Sequence, residues 1–252
     1  MPIAITREVS RAIAACELTH LARAPIDVGR ACAQHAAYRA ALAQLGCEVR
    51  CLPEEPELAD SVFVEDAAVV LDELCVLMRP GAASRRPEVD SVARALAGLR
   101  PLARLAGPGT MDGGDVLVLG RDVHVGLSTR STRAGIDELA RLLAPHGYRV
   151  HATEVHGCLH LKSAACALGE DTVLVNPAWL DPRTLGDRPV IEVDPAEPFA
   201  ANALRVGPGV IHAAAFPRTR ARLEAAGFAV VPVPADELAK AEGGVTCCSL
   251  IL

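Results

Sequence analysis

Asp115-Val116-Leu117-Val118-Leu119-Gly120-Arg121-Asp122-Val123-His124-Val125-Gly126-Leu127-Ser128 is the stretch whose reading decides the fold. Two short apolar runs, Val116 to Leu119 and Val123 to Leu127, flank Gly120-Arg121-Asp122, which is the pattern of two strands turning back on each other. The same pattern recurs along the chain. Ala67 to Leu71 and Leu74 to Met78 flank Asp72-Glu73. The stretch Ser163 to Asn176 turns at Gly169-Glu170-Asp171, and Ala203 to Ala213 turns at Gly207-Pro208-Gly209. A last apolar run, Cys247 to Leu252, has no partner after it, while Ile3-Ala4-Ile5 has none before it. The two ends are therefore expected to pair.

The segments after the hairpins repeat as well. Helical periodicity predicts helices over Asp27 to Leu45, Arg86 to Leu99, Ser131 to Leu143, a short one over Ala178 to Leu185, and Pro217 to Ala226. Strands are predicted after them at Glu48 to Leu52, Leu102 to Leu105, Arg149 to Thr153, Val190 to Val193 and Val230 to Val233. Each unit reads strand, strand, helix, strand, and a unit this small cannot close a core alone. Five of them around an axis, with the chain ends joined in one hairpin, give an α/β fold that is a closed five-bladed α/β propeller. The alternative, an open α/β sheet with antiparallel additions, leaves two exposed edges. One domain over residues 1–252 is expected.

Composition narrows the function classes. The 252 residues are 51% hydrophobic and 22% charged, an ordinary globular balance. A net charge of −6 with scattered Lys and Arg gives no basic stripe for a phosphate backbone, which points away from nucleic acid. No run of 18 apolar residues occurs and Met1 to Glu8 lacks the pattern of an export signal, so a cytoplasmic protein without a membrane span is expected. The nine cysteines are odd in number and irregular in spacing, against a disulfide framework. Most sit among Ala, Leu and Val, where a thiol behaves as a small apolar group.

Equivalent ends of the five units converge near the axis, so polar residues there become neighbours. Asp60-Ser61-Val62-Phe63-Val64-Glu65-Asp66 precedes the second unit, Thr110-Met111-Asp112-Gly113-Gly114-Asp115 the third, and His160-Leu161-Lys162-Ser163 the fourth. Gly243-Gly244-Val245-Thr246-Cys247-Cys248 opens the closing strand. Together they supply a nucleophile, a base, an orienting carboxylate and further acids suited to a cationic substrate. Taken singly, each has an innocent reading: a carboxylate at a strand end caps a turn, a lone histidine is structural, and a Cys pair on a strand points to opposite faces. Their coincidence at matching places in the repeat carries the inference. Cys158 and His160 have no second Cys or His pair at ligand spacing, so no metal site is expected.

Through these segments the chain resembles the dimethylarginine dimethylaminohydrolase family of guanidino-group-modifying enzymes. The resemblance rests on Phe63-Val64-Glu65-Asp66, Arg79-Pro80-Gly81-Ala82 with Ser84-Arg85-Arg86, and Met111-Asp112-Gly113-Gly114-Asp115. Gly126-Leu127-Ser128 with Arg130, Leu159-His160-Leu161-Lys162-Ser163 and Thr246-Cys247-Cys248-Ser249 complete it. It implies a five-bladed propeller and a cofactor-free hydrolase that takes a methylated arginine to citrulline and an amine. By the same resemblance Cys247 is the nucleophile, His160 the general acid and base, and Asp112 the carboxylate that holds the imidazole. Asp60 and Asp66 grip the guanidinium, with Glu65 in the same shell. Arg85 and Arg130 receive the α-carboxylate, and Leu18 with the backbone around Ala241 takes the α-amine. Cys158 and Glu242 depart from the residues expected nearby. The partner so implied is a small molecule, and the reading leaves room for a homodimer.

The chemistry suits these groups. A guanidinium is a poor electrophile, so it calls for a soft nucleophile and anionic groups that hold the cation. Surrounding acids raise the thiol pKa in the empty site, and a cationic substrate offsets them. Two rivals stand beside this reading. An arginine deiminase or amidinotransferase would use the same Cys, His and acids, although a deiminase generally carries an extra helical domain. A catalytically silent propeller acting as a binding module would have no reason to keep Cys247, His160 and Asp112 together.

Overall fold

The alternating apolar residues do form strands, and the computed structural model, which describes residues 1–169 and 171–252, arranges them in five three-stranded sheets. The first contains β1 (Ile3–Arg7) and β2 (Glu48–Leu52), joined by α1 (Val28–Gln44). The second is β3 (Ala68–Val70), β4 (Cys75–Leu77) and β5 (Leu102–Arg104), with α2 (Glu88–Leu96) before the last strand. The third is β6 (Val116–Leu119), β7 (Asp122–Leu127) and β8 (Arg149–Glu154), with α3 (Arg133–Leu143). A single helical turn, α4 (Leu161–Ala164), leads into the fourth: β9 (Ala165–Ala167), β10 (Val173–Val175) and β11 (Val190–Glu192). The fifth is β12 (Ala203–Val206), β13 (Gly209–Ala213) and β14 (Ala229–Val233), with α5 (Pro217–Ala225). A further turn, α6 (Asp236–Ala239), precedes β15 (Leu250–Ile251). In every sheet the first and middle strands are antiparallel and the middle and last are parallel. The expected end pairing is present: Ala4 faces Ile251 and Ile5 faces Leu250, antiparallel.

The burial pattern explains why the middle strands read as continuous apolar runs. Successive side chains on a strand point to opposite faces, and here each face meets a different neighbour. On β6, Val116 joins a core shared with the second sheet, whereas Leu117 and Leu119 join a core shared with the fourth. On β1, Ile5 packs toward the second sheet and Ala4 toward the fifth. The five hydrophobic clusters therefore lie between successive sheets, and the cluster of Leu42, Val206 and Ile211 with Ala4 closes the ring. The five first strands line a central channel that also reaches Glu65, Lys162 and Thr246. Each buried aliphatic side chain contributes roughly 1.5–3 kcal/mol, so the ring is held by many shared contacts rather than by one central core.

Local chemistry sets the helix ends. Asp27 caps α1 by accepting from the Arg30 amide, and Thr132 caps α3 by accepting from Gly135. Pro217 occupies the first turn of α5, where no amide donor is missed.

Two expectations are corrected. The short helix over Ala178 to Leu185 is only a 3₁₀ turn, Pro182–Leu185, capped by Asp181 and stopped at Gly186 with φ 78°. The closing strand does not begin at Cys247. Residues 245–248 form a turn, because the Cys247 carbonyl accepts from Glu65 and the Thr246 amide donates to Asn202 Oδ1, so neither is free for a ladder. Cys247 and Cys248 are therefore turn residues, not alternate residues of a strand. The Gly169-Glu170-Asp171 turn includes Glu170, which lies outside the described residues.

Candidate functional site

Immediately before each first strand, the chain makes a tight turn: Val64–Ala67, Gly113–Asp115, Leu161–Ala164, residues 198–201 and residues 245–248. The polar residues singled out in the sequence occupy or flank these turns, so the fivefold arrangement delivers them to one end of the ring. Cys247, His160, Asp60, Asp66, Arg85, Arg130 and Ala241 line a single small cavity.

His160 is the centre of charge. Its Nε2 lies 3.0 Å from Asp112 Oδ2, and its Nδ1 lies 3.9 Å from Asp66 Oδ1. Burial alone would lower the imidazole pKa, but the charges of Asp66, Asp115 and Asp112 outweigh it and raise the value to about 9. His160 is thus an imidazolium at neutral pH, able to donate a proton into the cavity. Asp112 is fully buried and positioned by others: its Oδ1 accepts from the Gly81 amide at 2.8 Å, and Arg130 Nη1 stands 3.8 Å from its Oδ2. Asp66 is pulled the other way. Burial would raise its pKa, yet the neighbouring His160 and Arg85 cations, with the Gly114 amide donating at 2.9 Å, hold the carboxyl at about 2.

Gly113 and Gly114 have a steric reason. A Cβ on Gly113 would lie 2.0 Å from the Glu65 carbonyl oxygen, and one on Gly114 would lie 2.6 Å from His160 Nδ1. The backbone passes that close because the imidazole packs directly over it.

Cys247 receives the Gly244 amide on its sulfur at 3.3 Å. Burial pushes its thiol pKa far up, and the nearby Glu65 and Asp66 charges push it further, while the Gly244 amide and Lys162 offset part of this. The empty site therefore holds a neutral thiol that a bound cation would help to ionise.

Arg85 also lines the cavity, but most of its fork is engaged. Nε and Nη2 donate to Glu88, Nη1 donates to Asp66 Oδ2, and Nη2 also reaches the carbonyls of Asp60 and Phe63. One Nη1 hydrogen is left for a ligand. Arg130 is less committed, its Nη2 reaching Thr19 Oγ1 at 3.3 Å. Three residues assigned to the site stand apart from the cavity wall, and the first, Asp112, reaches it only through His160. Glu65 turns toward the central channel, with its carboxylate between Lys162 Nζ at 2.5 Å and Thr246 Oγ1 at 2.8 Å. Leu18 packs against the core under α1, in an irregular segment whose Glu17 lines the cavity.

Sequence reasoning gives no role to several residues that build this site. Asn202 accepts from the Thr246 amide and donates to Thr246 Oγ1, which fixes the cysteine turn. Asp115 accepts from the Leu161 amide and from Ser128 and Ser131, anchoring the turn after His160. Glu17, Phe63, Leu159, Glu242 and Gly243 complete the cavity wall. Phe63, Asp115, Leu159 and Gly243 carry a visible signal as parts of the segments singled out in the sequence, and Glu242 as a departure from the expected residue, whereas Asn202 and Glu17 carry none.

Asp66, Asp112 and His160 each offer a ligand atom within 4.8 Å of the others, a spacing compatible with a metal ion. The charges argue for another use. Arg85 already balances Asp66, and Asp112 is engaged by the His160 ring and the Gly81 amide, so these groups serve one another. The arrangement instead presents a thiol, an acid and anionic walls to one small cavity. That combination suits nucleophilic attack on a planar, positively charged carbon.

Known proteins share the sequence and the fold. A family model described as arginine deiminase matches residues 102–197. The N(G),N(G)-dimethylarginine dimethylaminohydrolase of Streptomyces coelicolor is 39% identical over 252 residues, covering 99% of this chain and 96% of that protein. The protein of the same description from Pseudomonas aeruginosa is 32% identical over 226 residues, 89% of each chain. A solved structure of the Pseudomonas aeruginosa enzyme, a cysteine-to-serine variant complexed with citrulline, superposes with a TM-score of 0.94 at 30% identity, covering 99% of this chain and 98% of that one. The N-terminal domain of a cyanobacterial arginine dihydrolase shares the fold, with a TM-score of 0.88 at 21% identity and coverage of 99% and 97%.

Proposed function

The chain belongs to the dimethylarginine dimethylaminohydrolase family, and from that premise we propose that it hydrolyses Nω-methylated arginine to citrulline and methylamine or dimethylamine, with Cys247 as the nucleophile. The observation that carries the assignment of roles is the shared cavity of Cys247 and His160, with the imidazole held 3.0 Å from a fully buried carboxylate.

The steps follow from the charges. The guanidinium enters between Asp60 and Asp66, and its positive charge offsets the acids that keep the thiol protonated, so Cys247 loses its proton to solvent. The thiolate attacks the central carbon, and the carbon to methylated-nitrogen bond breaks as the His160 imidazolium protonates the leaving amine. A thiouronium remains on the sulfur. The now neutral imidazole takes a proton from water and the resulting hydroxide adds to the carbon; the adduct then expels the thiolate and gives its hydroxyl proton to solvent, leaving neutral citrulline. Asp112 keeps the ring oriented through both halves. Arg130, with the spare Nη1 hydrogen of Arg85, meets the α-carboxylate, and the carbonyls near Leu18 and Ala241 meet the α-amine. No organic cofactor or metal has a step to perform. Citrulline is neutral, so it leaves the site carboxylates without a cationic partner, which favours release.

The test is citrulline release from arginine, monomethylarginine and asymmetric dimethylarginine by the parent and by Cys247→Ser. The methylated substrates should be preferred, and the variant should lose turnover. Plain arginine as much the best substrate would replace this reading with that of a deiminase. Undiminished binding and no turnover by the parent would favour the silent binding module.

The enzyme is read as one domain over residues 1–252 and as cytoplasmic; no helix among the described residues is long and apolar enough to cross a membrane. The homodimer belongs to the same reading, and light scattering that finds only monomer at all concentrations removes it.

A further inference from the structure

Residues 16–27, between the 3₁₀ turn Ile13–Ala15 and α1, form a strap with no regular structure and mostly exposed side chains. Such a segment has little apolar burial to hold it and would open at low cost if left to itself. It is nevertheless tied to the cavity wall, where Glu17 lines the cavity and one residue makes three of the ties; Ser84, Glu237 and Lys240 hold it elsewhere. Glu242 accepts three strap amides on a single carboxylate: Thr19 on Oε2 at 3.0 Å, and His20 and Leu21 on Oε1 at 2.5 and 2.6 Å. Hydrogen bonds to an ionised acceptor are the strong class.

Glu242 itself is strained. Its φ of 59° makes it the one residue with a Cβ in the left-handed region among those described. It directly precedes Gly243 and lines the cavity that holds Cys247 and His160. Two further ties join the strap to groups assigned to the substrate: the Glu17 amide donates to Asp60 Oδ2 at 3.1 Å, and Arg130 donates to Thr19 Oγ1. Those contacts must loosen when a ligand takes Asp60 and Arg130, whereas the Glu242 contacts need not.

We infer that Glu242 is a positioning residue that holds the strap closed over the reacting groups while Asp60 and Arg130 exchange strap contacts for substrate. It touches no reacting atom, and its effect runs through the strap. The kinetic part of this inference rests on the proposed function, while the access part does not.

Glu242→Gly and Glu242→Gln separate the latch from a merely structural role. Glycine relieves the positive φ, so the first variant should melt no lower than the parent. Glutamine keeps the length but offers one acceptor oxygen to three donors, and its amide group faces one of them. In both, loss of about one charge-assisted hydrogen bond's worth of closure should raise KM for asymmetric dimethylarginine roughly tenfold, with kcat changed less than about threefold. Alkylation of Cys247 by iodoacetamide without substrate, read by mass spectrometry of its peptide, should accelerate by a similar factor. An unchanged alkylation rate in both variants overturns the inference, as does an unchanged KM. If the parent turns over no methylated arginine, the functional reading fails, and the alkylation comparison still decides the latch.

Discussion

Replacing Arg85 with methionine is the sharpest test of how the site is held together. The guanidinium is buried, and it neutralises Asp66 and Glu88 while donating to two carbonyls. Methionine fills part of the volume and supplies no donor. Asp66 keeps the Gly114 amide and the charge of His160, but both oxygens of buried Glu88 lose the partner they have. Removing one member of a buried pair costs about 3–5 kcal/mol, because the other charge is left unpaired. At ~2–4 °C per kcal/mol for a chain of this size, the melting temperature should fall by roughly 6–20 °C. Circular dichroism melts at pH 7.5 read this directly. The cause can be separated from lost packing in two ways. Burial already raises the Glu88 carboxyl to about 7 with Arg85 in place, and losing that cation raises it further, so the deficit should shrink as pH falls toward about 7 and level off below it. Adding Glu88→Gln to Arg85→Met should recover part of the loss. A melt within about 2 °C of the parent, or identical melts for the single and double variants, would refute this account of Arg85.

His160 carries a pH signature. Its pKa is raised from 6.5 to about 9, so the associated stability is fully present below pH 6.5 and is lost as pH rises through about 9. At ~1.4 kcal/mol per unit this amounts to about 3 kcal/mol, and the decline should be absent in His160→Asn. Turnover needs the imidazolium, so its alkaline limb should lie near pH 9 and move to lower pH in Asp112→Asn, which removes one of the raising charges. A limb unmoved by that substitution would count against Asp112 as the ring's partner. Gly113→Ala and Gly114→Ala should differ in kind. The first drives a Cβ into backbone and should destabilise by about 2 kcal/mol or more, whereas the second displaces the imidazole and should abolish turnover with a smaller change in melting. Equal effects on both properties would contradict the contacts described.

The fold is legible because strand periodicity survives even where both faces are buried. Val116 to Leu119 reads as a strand either way, and Asp27, Thr132 and Pro217 mark helix starts chemically. The fourth unit misleads because Pro182 and Gly186 bracket too few residues for more than a 3₁₀ turn. The cysteine turn misleads because its backbone bonds go to Glu65 and Asn202, distant partners that no local pattern announces. Site residues inside dense polar segments, such as Asp66, Asp112 and His160, stand out. Glu242 does not: its role depends on a left-handed φ and on amides more than 220 positions away.

Because every apolar cluster is shared by two adjacent sheets and the last returns to the first, the molecule has no terminal repeat that can fray. In a linear array an outermost unit can melt alone, but here removing any one sheet strips the cores on both its sides. A proteolytic nick at an exposed turn such as Gly120-Arg121 should leave two fragments clasped together and active, and heat should dissolve the whole circle in one transition.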